Sequence, residues 1–271
     1  MPNWCWNHLN ISGSKKDMAK FYKAMSVMPE NDMDHNDVDE DQRVFDFNDF
    51  VPRPKSLDIT SGSSTDQAVE CIKYAEGQKD VLDEKLGWPA WVDDTDIKET
   101  DSLDVKRDKM YKYMVKNVTK EHLKQGRQFI DNVEKYGYGT WYNWSYDNWG
   151  TKWNACDAYI NEKRDEHLSL SFSSAWSPPI PVIWALMEQH PKLDVELEYS
   201  ESGMGFAGMY GRHNGLTFDS EGEIINLSSC CKEQMTDEWF EDCDEKEIEP
   251  WDVCPKCKGD CEYEEEIKYN Q

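Results

Sequence analysis

The residues best able to do chemistry lie near the carboxyl terminus, in Cys254-Pro255-Lys256-Cys257 with Cys261 four residues on. Two thiolates from one tight turn fit two corners of a tetrahedral zinc site. Cys243, Cys254, Cys257 and Cys261 are the expected ligand set, and Cys230 or Cys231 competes for the last place. A standard second knuckle is missing, because Cys230 and Cys231 are adjacent. The implied cofactor is a structural zinc that folds a segment too acidic to fold alone. Free packing thiols are the competing reading, and redox chemistry is a third.

Other reactive groups form no recognisable constellation. The six histidines are scattered, and none stands at a nucleophile spacing from Cys or Asp. Paired acids such as Asp93-Asp94 and Glu264-Glu265-Glu266 sit in polar runs, where a solvated surface is expected. Gly203, Gly205 and Gly208 match a Gly-x-Gly-x-x-Gly spacing. A dinucleotide loop must open a helix, however, and turn and strand residues follow here. These glycines are therefore expected to bend a sheet. No active site is read, and the chain is expected not to be an enzyme.

Trp141, Trp144, Trp149, Trp153 and Trp176 are five of twelve tryptophans, gathered between residues 136 and 181. Stacking on nucleic acid would need neighbouring cations. Lys152, Lys163 and Arg164 are outnumbered by acids, so core packing is the expected role.

Charge points to the partner. The net charge is −25, and residues 219–271 hold 18 acidic against 5 basic side chains. Such a field repels nucleic acid and anionic membrane and favours basic protein surfaces. Simple solubility is the plain alternative. Asp237, Glu238, Glu241, Asp242, Asp244, Glu245 and Glu247 are the expected partner-binding residues. The start of the chain lacks the basic leader and apolar run of a signal peptide, which suggests a cytoplasmic protein.

The elements that must position these groups follow from periodicity. Residues 4–12 read as a strand with Trp4, Trp6 or their neighbours facing a core, and Asp17–Met25 as a helix. Residues 29–42 are too acidic to pack and read as a loop. Val44–Phe50 alternates and predicts a strand. Residues 66–75 and 103–136 predict helices, with a packed turn at Gly87–Trp91. Leu168–Phe172 predicts a strand stopped by Pro178-Pro179, and Ile183–Met187 marks a helix. Leu193–Tyr199, Leu216–Phe218 and Glu223–Leu227 predict further strands, and 232–250 an acidic helix. Strand–helix–strand, insertion, strand–helix–strand is the pattern of a split βαβ, ferredoxin-like α+β fold: an antiparallel sheet with helices on one face. The expected division is 1–54 with 137–218 as the core, 55–136 as a helical insertion, and 219–271 as an acidic cysteine-containing extension.

Five dispersed motifs carry a family resemblance. They are Pro2-Asn3-Trp4-Cys5 with Asn7, Phe50-Val51-Pro52-Arg53-Pro54, Asn148–Trp153, Ala175–Pro179, and Tyr199–Gly203 with Phe206–Gly208. Together they resemble the YubB-like family, ferredoxin-like proteins carried on plasmids and phages. The resemblance frames residues 1–54 and 137–211, implies the fold and a mobile-element origin, and supplies no catalytic residues. Such an origin favours interference with host defence. The expected function is thus a phage- or plasmid-encoded acidic binding protein. It would inhibit a host immune complex by occupying that complex's basic, nucleic-acid-binding surface, without itself binding nucleic acid or membrane. The alternative is a nucleotide or small-molecule binder that sequesters an immune signal, with a pocket between the Trp-rich block and the Gly203–Gly208 turn. Self-association through exposed aromatics to a homo-oligomer is a further reading.

Overall fold

The structure is a computed structural model that describes residues 3–26, 44–87, 95–246 and 249–269. The 29–42 loop, most of the Gly87–Trp91 turn, Asp93-Asp94 and Glu247 lie outside the described residues. In chain order the main elements are β1 (Trp4–Ser12), α1 (Lys15–Ala24), α2 (Ser63–Ala75), α3 (Leu103–Asn117), α4 (Lys120–Tyr136) and α5 (Trp141–Trp149). There follow β2 (Cys156–Arg164), β3 (His167–Ala175), α6 (Ile180–Gln189), β4 (Asp194–Glu201), β5 (Phe206–His213), β6 (Leu216–Ser228), α7 (Asp237–Lys246) and β7 (Tyr263–Tyr269). The chain divides into two compact units, Met1–Pro52 with Tyr146–Gln271, and Arg53–Ser145.

The first unit is built on a seven-stranded sheet of order β2-β3-β1-β4-β5-β6-β7, with every pairing antiparallel. The four strands β4-β1-β3-β2 have the ferredoxin-like arrangement, and β5 to β7 widen the sheet beyond β4. Residues paired directly across antiparallel strands share a face. On the first face Leu9, Ile11, Leu168, Leu170, Phe172, Val195 and Leu197 are almost wholly buried. Helix α1 supplies Met18 and Phe21 to the buried set, and α6 supplies Val182, Ile183, Leu186 and Met187. Pro181 lies in the first turn of α6, where a missing backbone N–H costs nothing.

Val44–Phe50 is not a strand. Phe47–Asp49 makes one 3-10 turn, and the Asp46 carboxylate accepts from the Asn48 N–H at 2.8 Å. The alternation of aromatics has another cause: Phe45, Phe47 and Phe50 are all buried. The Phe45 and Phe47 rings lie 5.0 and 5.9 Å from Phe172, and Phe47 meets Trp149 at 5.7 Å. The Phe47 N–H donates to the Asn154 side chain at 2.9 Å, not to a neighbouring strand. The second strand of the split βαβ pattern is instead β2, which follows the helical unit.

Glycines shape the β4–β5 hairpin as bends in a sheet. The Glu201 carboxylate accepts from the Gly203 and Met204 N–H groups at 2.8 and 2.6 Å, and Gly205 has φ 71°. A Cβ at Gly208 would lie 2.2 Å from the Tyr199 hydroxyl, so only glycine fits there.

Arg212 closes the far end of the core. Its Nη2 donates to the carbonyl oxygens of Met187 and His190 at 2.6 and 3.0 Å, placing a buried cation at the C-terminal end of α6. Arg212→Leu should therefore lower stability by about 2–4 kcal/mol, because it takes the Arg212 donor from the buried Met187 carbonyl, while the His190 carbonyl keeps only the Leu193 N–H. Urea denaturation checks this, and a loss below about 1 kcal/mol would contradict the assignment.

The second unit is helical. Cys71, Tyr74, Leu82, Met110 and Met114 form its buried cluster. Helix α4 begins at Thr119, which shares a capping box with His122, and ends at Gly137 with φ 80°. A Cβ on Gly126 would sit 3.0 Å from that of Ala68, so α4 and α2 cross closely.

Candidate metal centre and the acidic face beside it

Two short turns bring four thiols together. The first leaves β6 and is closed by an antiparallel bridge between Leu227 and Gln234, carrying Cys230 and Cys231. The second is closed by a bridge between Val253 and Asp260 and carries Cys254 and Cys257. Within it the Cys254 N–H donates to the Gly259 carbonyl and the Lys258 N–H to the Cys254 carbonyl, each at 3.0 Å, with Lys258 at φ 59°. The Ser229 N–H donates to the Glu262 carbonyl at 2.8 Å, which ties the two turns to each other.

The sulfurs of Cys230, Cys231, Cys254 and Cys257 all lie within 4.8 Å of one another, and Cys230 to Cys257 is 3.6 Å. A tetrahedron of ~2.3 Å zinc–sulfur bonds has sulfur–sulfur edges of about 3.8 Å. The four donors therefore fit a tetrahedral soft-metal site after a small contraction. None of the nine cysteines is in a disulfide. Burial pushes the Cys254 thiol up, but hydrogen bonds from Ser228 and from the backbone at Cys257 and Lys256 outweigh it and bring the pKa down to about 6. The Cys230 thiol moves the opposite way, through burial and hydrogen bonding with the other three sulfurs. Four sulfurs converging on one point is the arrangement a soft cation would complete.

This group differs from the set expected from spacing. Cys254 and Cys257 belong to it, whereas Cys243 and Cys261 lie elsewhere. Cys243 is fully buried with Met235 and Trp239 in a small apolar cluster, and Phe240, Val253 and Tyr263 pack against that cluster. Cys261 is half-buried and contacts Tyr263. Cys230 and Cys231, which compete for one place by spacing, both belong to the group. They reach the site from the turn closed by the Leu227–Gln234 bridge, in which Lys232 has φ 51°.

The cysteine turns and α7 sit at the β6–β7 end of the sheet, on the face opposite α1 and α6. The register places Ser228 opposite Tyr263 on that face, the Cys254 sulfur lies 3.4 Å from the Ser228 hydroxyl, and Tyr263 packs beside Trp239. Helix α7 is two-sided. Trp239 and Cys243 point inward, and Glu238, Glu241 and Asp244 are exposed. Asp242 is half-buried and held by Lys246, which lowers its pKa. Of the remaining expected partner-binding residues, Asp237 and Glu245 fall on α7 with side chains outside the described residues.

The same sheet face continues across β4, β1 and β3. Trp4 and Trp6 were expected to face a core either themselves or through their neighbours, and it is the neighbours Cys5, Asn7 and Leu9 that are buried. Trp4 and Trp6 are 43% and 45% exposed, and Tyr159 on β2 is 48% exposed. Trp6 stacks on His8 at 5.7 Å and 6°. His8 is fixed in turn by Ser171 at 3.1 Å and Ser169 at 3.3 Å, with Asn161 bonded to Ser171 at 2.9 Å. Opposite His8 and Asn10 stand Glu198 and Glu196 of β4. Of the gathered tryptophans, Trp144 and Trp149 are buried, while Trp176 is 43% exposed.

A cavity of about 330 Å³ opens in the second unit, lined by Thr60, Asp66, Phe129, Trp141, Tyr142 and Asn143 among others. The Gly203–Gly208 turn belongs to the first unit and is not part of its lining. Among the described residues no helix is long and apolar enough to cross a membrane.

No curated protein matches the chain. Among solved structures, the crystal structure of a protein api92 from Yersinia pseudotuberculosis aligns with 82% of this chain and 98% of its own, at 12% identity and TM-score 0.38. Residues 149–244, from the end of α5 through β2–β6 and most of α7, match the family model described as the ferredoxin-like domain in Api92-like protein.

Proposed function

We propose that the protein acts by binding and not by catalysis, presenting fixed carboxylates to a basic, nucleic-acid-binding surface of another protein and so keeping polynucleotide off it. The observation that supports this most is the build of α7. Its inner side is anchored by Trp239 and Cys243, so Glu238, Glu241 and Asp244 are displayed from a held helix and not from a loose tail. The net charge of −25 supplies the long-range attraction. The resemblance to proteins of plasmids and phages makes a host defence complex in the cytoplasm the partner class proposed.

The four-thiol group serves this role as a structural zinc site. Its two turns bracket α7, so an ion bound by Cys230, Cys231, Cys254 and Cys257 closes the segment that carries the helix.

Changing Glu238, Glu241 and Asp244 together to Lys tests the reading. Inhibition of the partner's nucleic-acid binding should fall at least about tenfold, since several charge pairs are reversed. Far-UV circular dichroism and melting temperature should match the parent protein. Undiminished inhibition by the folded variant would overturn the proposal.

The cavity beside Trp141 and Tyr142 favours a second reading, a nucleotide binder that removes an immune signal. Under it, the melting temperature should rise with a nucleotide or cyclic dinucleotide and be unmoved by the α7 reversal.

A further inference from the structure

On the sheet's second face two indoles, each more than two-fifths exposed, stand beside a row of carboxylates. We propose that this face binds an extended, arginine- or lysine-rich segment of a protein, with Trp4 and Trp6 stacking on its cations and Glu196 and Glu198 pairing with them. This rests on the reading of the protein as a binder of basic surfaces, and it places the partner's basic segment on β1 and β4.

Two independent features meet here. Trp4 and Trp6 lie two residues apart on one strand, each partly exposed, and each ring is held by a neighbour: Trp6 lies parallel to His8, and Trp4 packs on Trp153 at 5.9 Å. Rigid indole faces attract guanidinium and ammonium groups. Lys152 already shows this chemistry at the edge of the patch, with its Nζ 4.6 Å from the centre of the Trp153 ring.

The second feature is charge in register. Glu198 stands opposite His8, Glu196 opposite Asn10 and Asp194 opposite Ser12. Carboxylates at every second residue of a strand repeat at about 6.6–6.8 Å, the repeat of same-side residues in an extended peptide. By register, β1, β3, β4 and β5 place no Lys or Arg on this face. On β2, Arg164 is paired with Glu162.

These charges select the occupant. Polynucleotide would bring phosphates against the Glu196–Glu198 row. A second copy docking face to face would set the same acidic row against itself. A cationic extended segment satisfies both the rings and the carboxylates.

The test uses the full-length, metal-loaded protein and a fluorescein-labelled peptide of Arg-Gly repeats, read by fluorescence polarisation at two salt concentrations. Glu196→Gln with Glu198→Gln should weaken binding about tenfold. Asp219→Asn with Glu221→Gln, which removes the same charge from the opposite face, should change it by less than about twofold. Trp4→Ala with Trp6→Ala should weaken binding about tenfold, and Trp4→Phe with Trp6→Phe should restore most of it. The rescue separates loss of stacking from loss of fold.

Equal effects of the two charge pairs, or full binding by the alanine pair, would overturn the proposal. So would tighter binding of a labelled single-stranded oligonucleotide than of the peptide. If these face variants behave as the parent while the α7 reversal abolishes inhibition, this inference fails and the broader reading stands. If the peptide results hold but the α7 reversal leaves inhibition intact, the sheet face stands as the basic-segment site and the assignment of docking to α7 fails.

Discussion

Phe172→Ala should destabilise the protein by about 3–5 kcal/mol, as expected for removing a buried ring that neighbours cannot replace. Phe172 is 2% exposed and sits at mid-strand on β3. It receives Phe45 at 5.0 Å and Phe47 at 5.9 Å, and Phe47 in turn meets Trp149. The ring thus joins the sheet to the segment ahead of the helical unit and to the end of α5. Packing of this density leaves little room for collapse, so a cavity should persist. Urea denaturation would register the change as a lower midpoint with an unchanged slope. A loss under about 1.5 kcal/mol would mean that the aromatic segment does not pack as described.

The other large effect is expected at the thiols. Cys254→Ser or Cys257→Ser should remove bound zinc almost completely, whereas Cys243→Ser should leave metal content intact despite some loss of packing. Structural zinc adds roughly 10–16 kcal/mol of binding free energy to small metal-folded modules, so its loss should unfold the segment between β6 and β7. Elemental analysis of the purified protein and limited proteolysis within residues 229–262 would read the two consequences. Chelation should reproduce the mutant pattern, and so should acid, because zinc needs the thiolate and falling pH returns the proton. Zinc retained by Cys254→Ser, or lost from Cys243→Ser, would contradict the assignment of the four ligands.

Much of the ferredoxin-like layout was legible, because β1, α1, β3, α6 and β4 carry clean periods and strong stops. The error at Val44–Phe50 came from alternation that has nothing to do with pairing: three phenylalanines all turn inward from a non-strand segment. β2 escaped notice for the converse reason. Its register shifts between Cys156 and Tyr159 and again between Ile160 and Glu162, and such bulges erase a two-residue period. β7 was hidden by Glu264-Glu265-Glu266, which reads as a solvated run, although β6 pairs with it along its length.

At the metal centre the Cys254–Cys257 knuckle was readable, but its partners were not. Spacing cannot show that the turn closed by the Leu227–Gln234 bridge brings two adjacent sulfurs to the knuckle. The exposed face of β1 was half legible. Alternation showed that either Trp4 and Trp6 or Cys5 and Asn7 must be outside, and only the sheet decides which.

The most direct measurement is a paired capture from nuclease-treated bacterial lysate. The parent protein and the Glu238, Glu241 and Asp244 to Lys variant serve as baits, and a DNA oligonucleotide is the eluent. Proteins retained by the parent and not by the variant should be nucleic-acid-binding proteins, and DNA should displace them. Retention that is indifferent both to the variant and to added DNA would contradict a basic docking surface shared with polynucleotide.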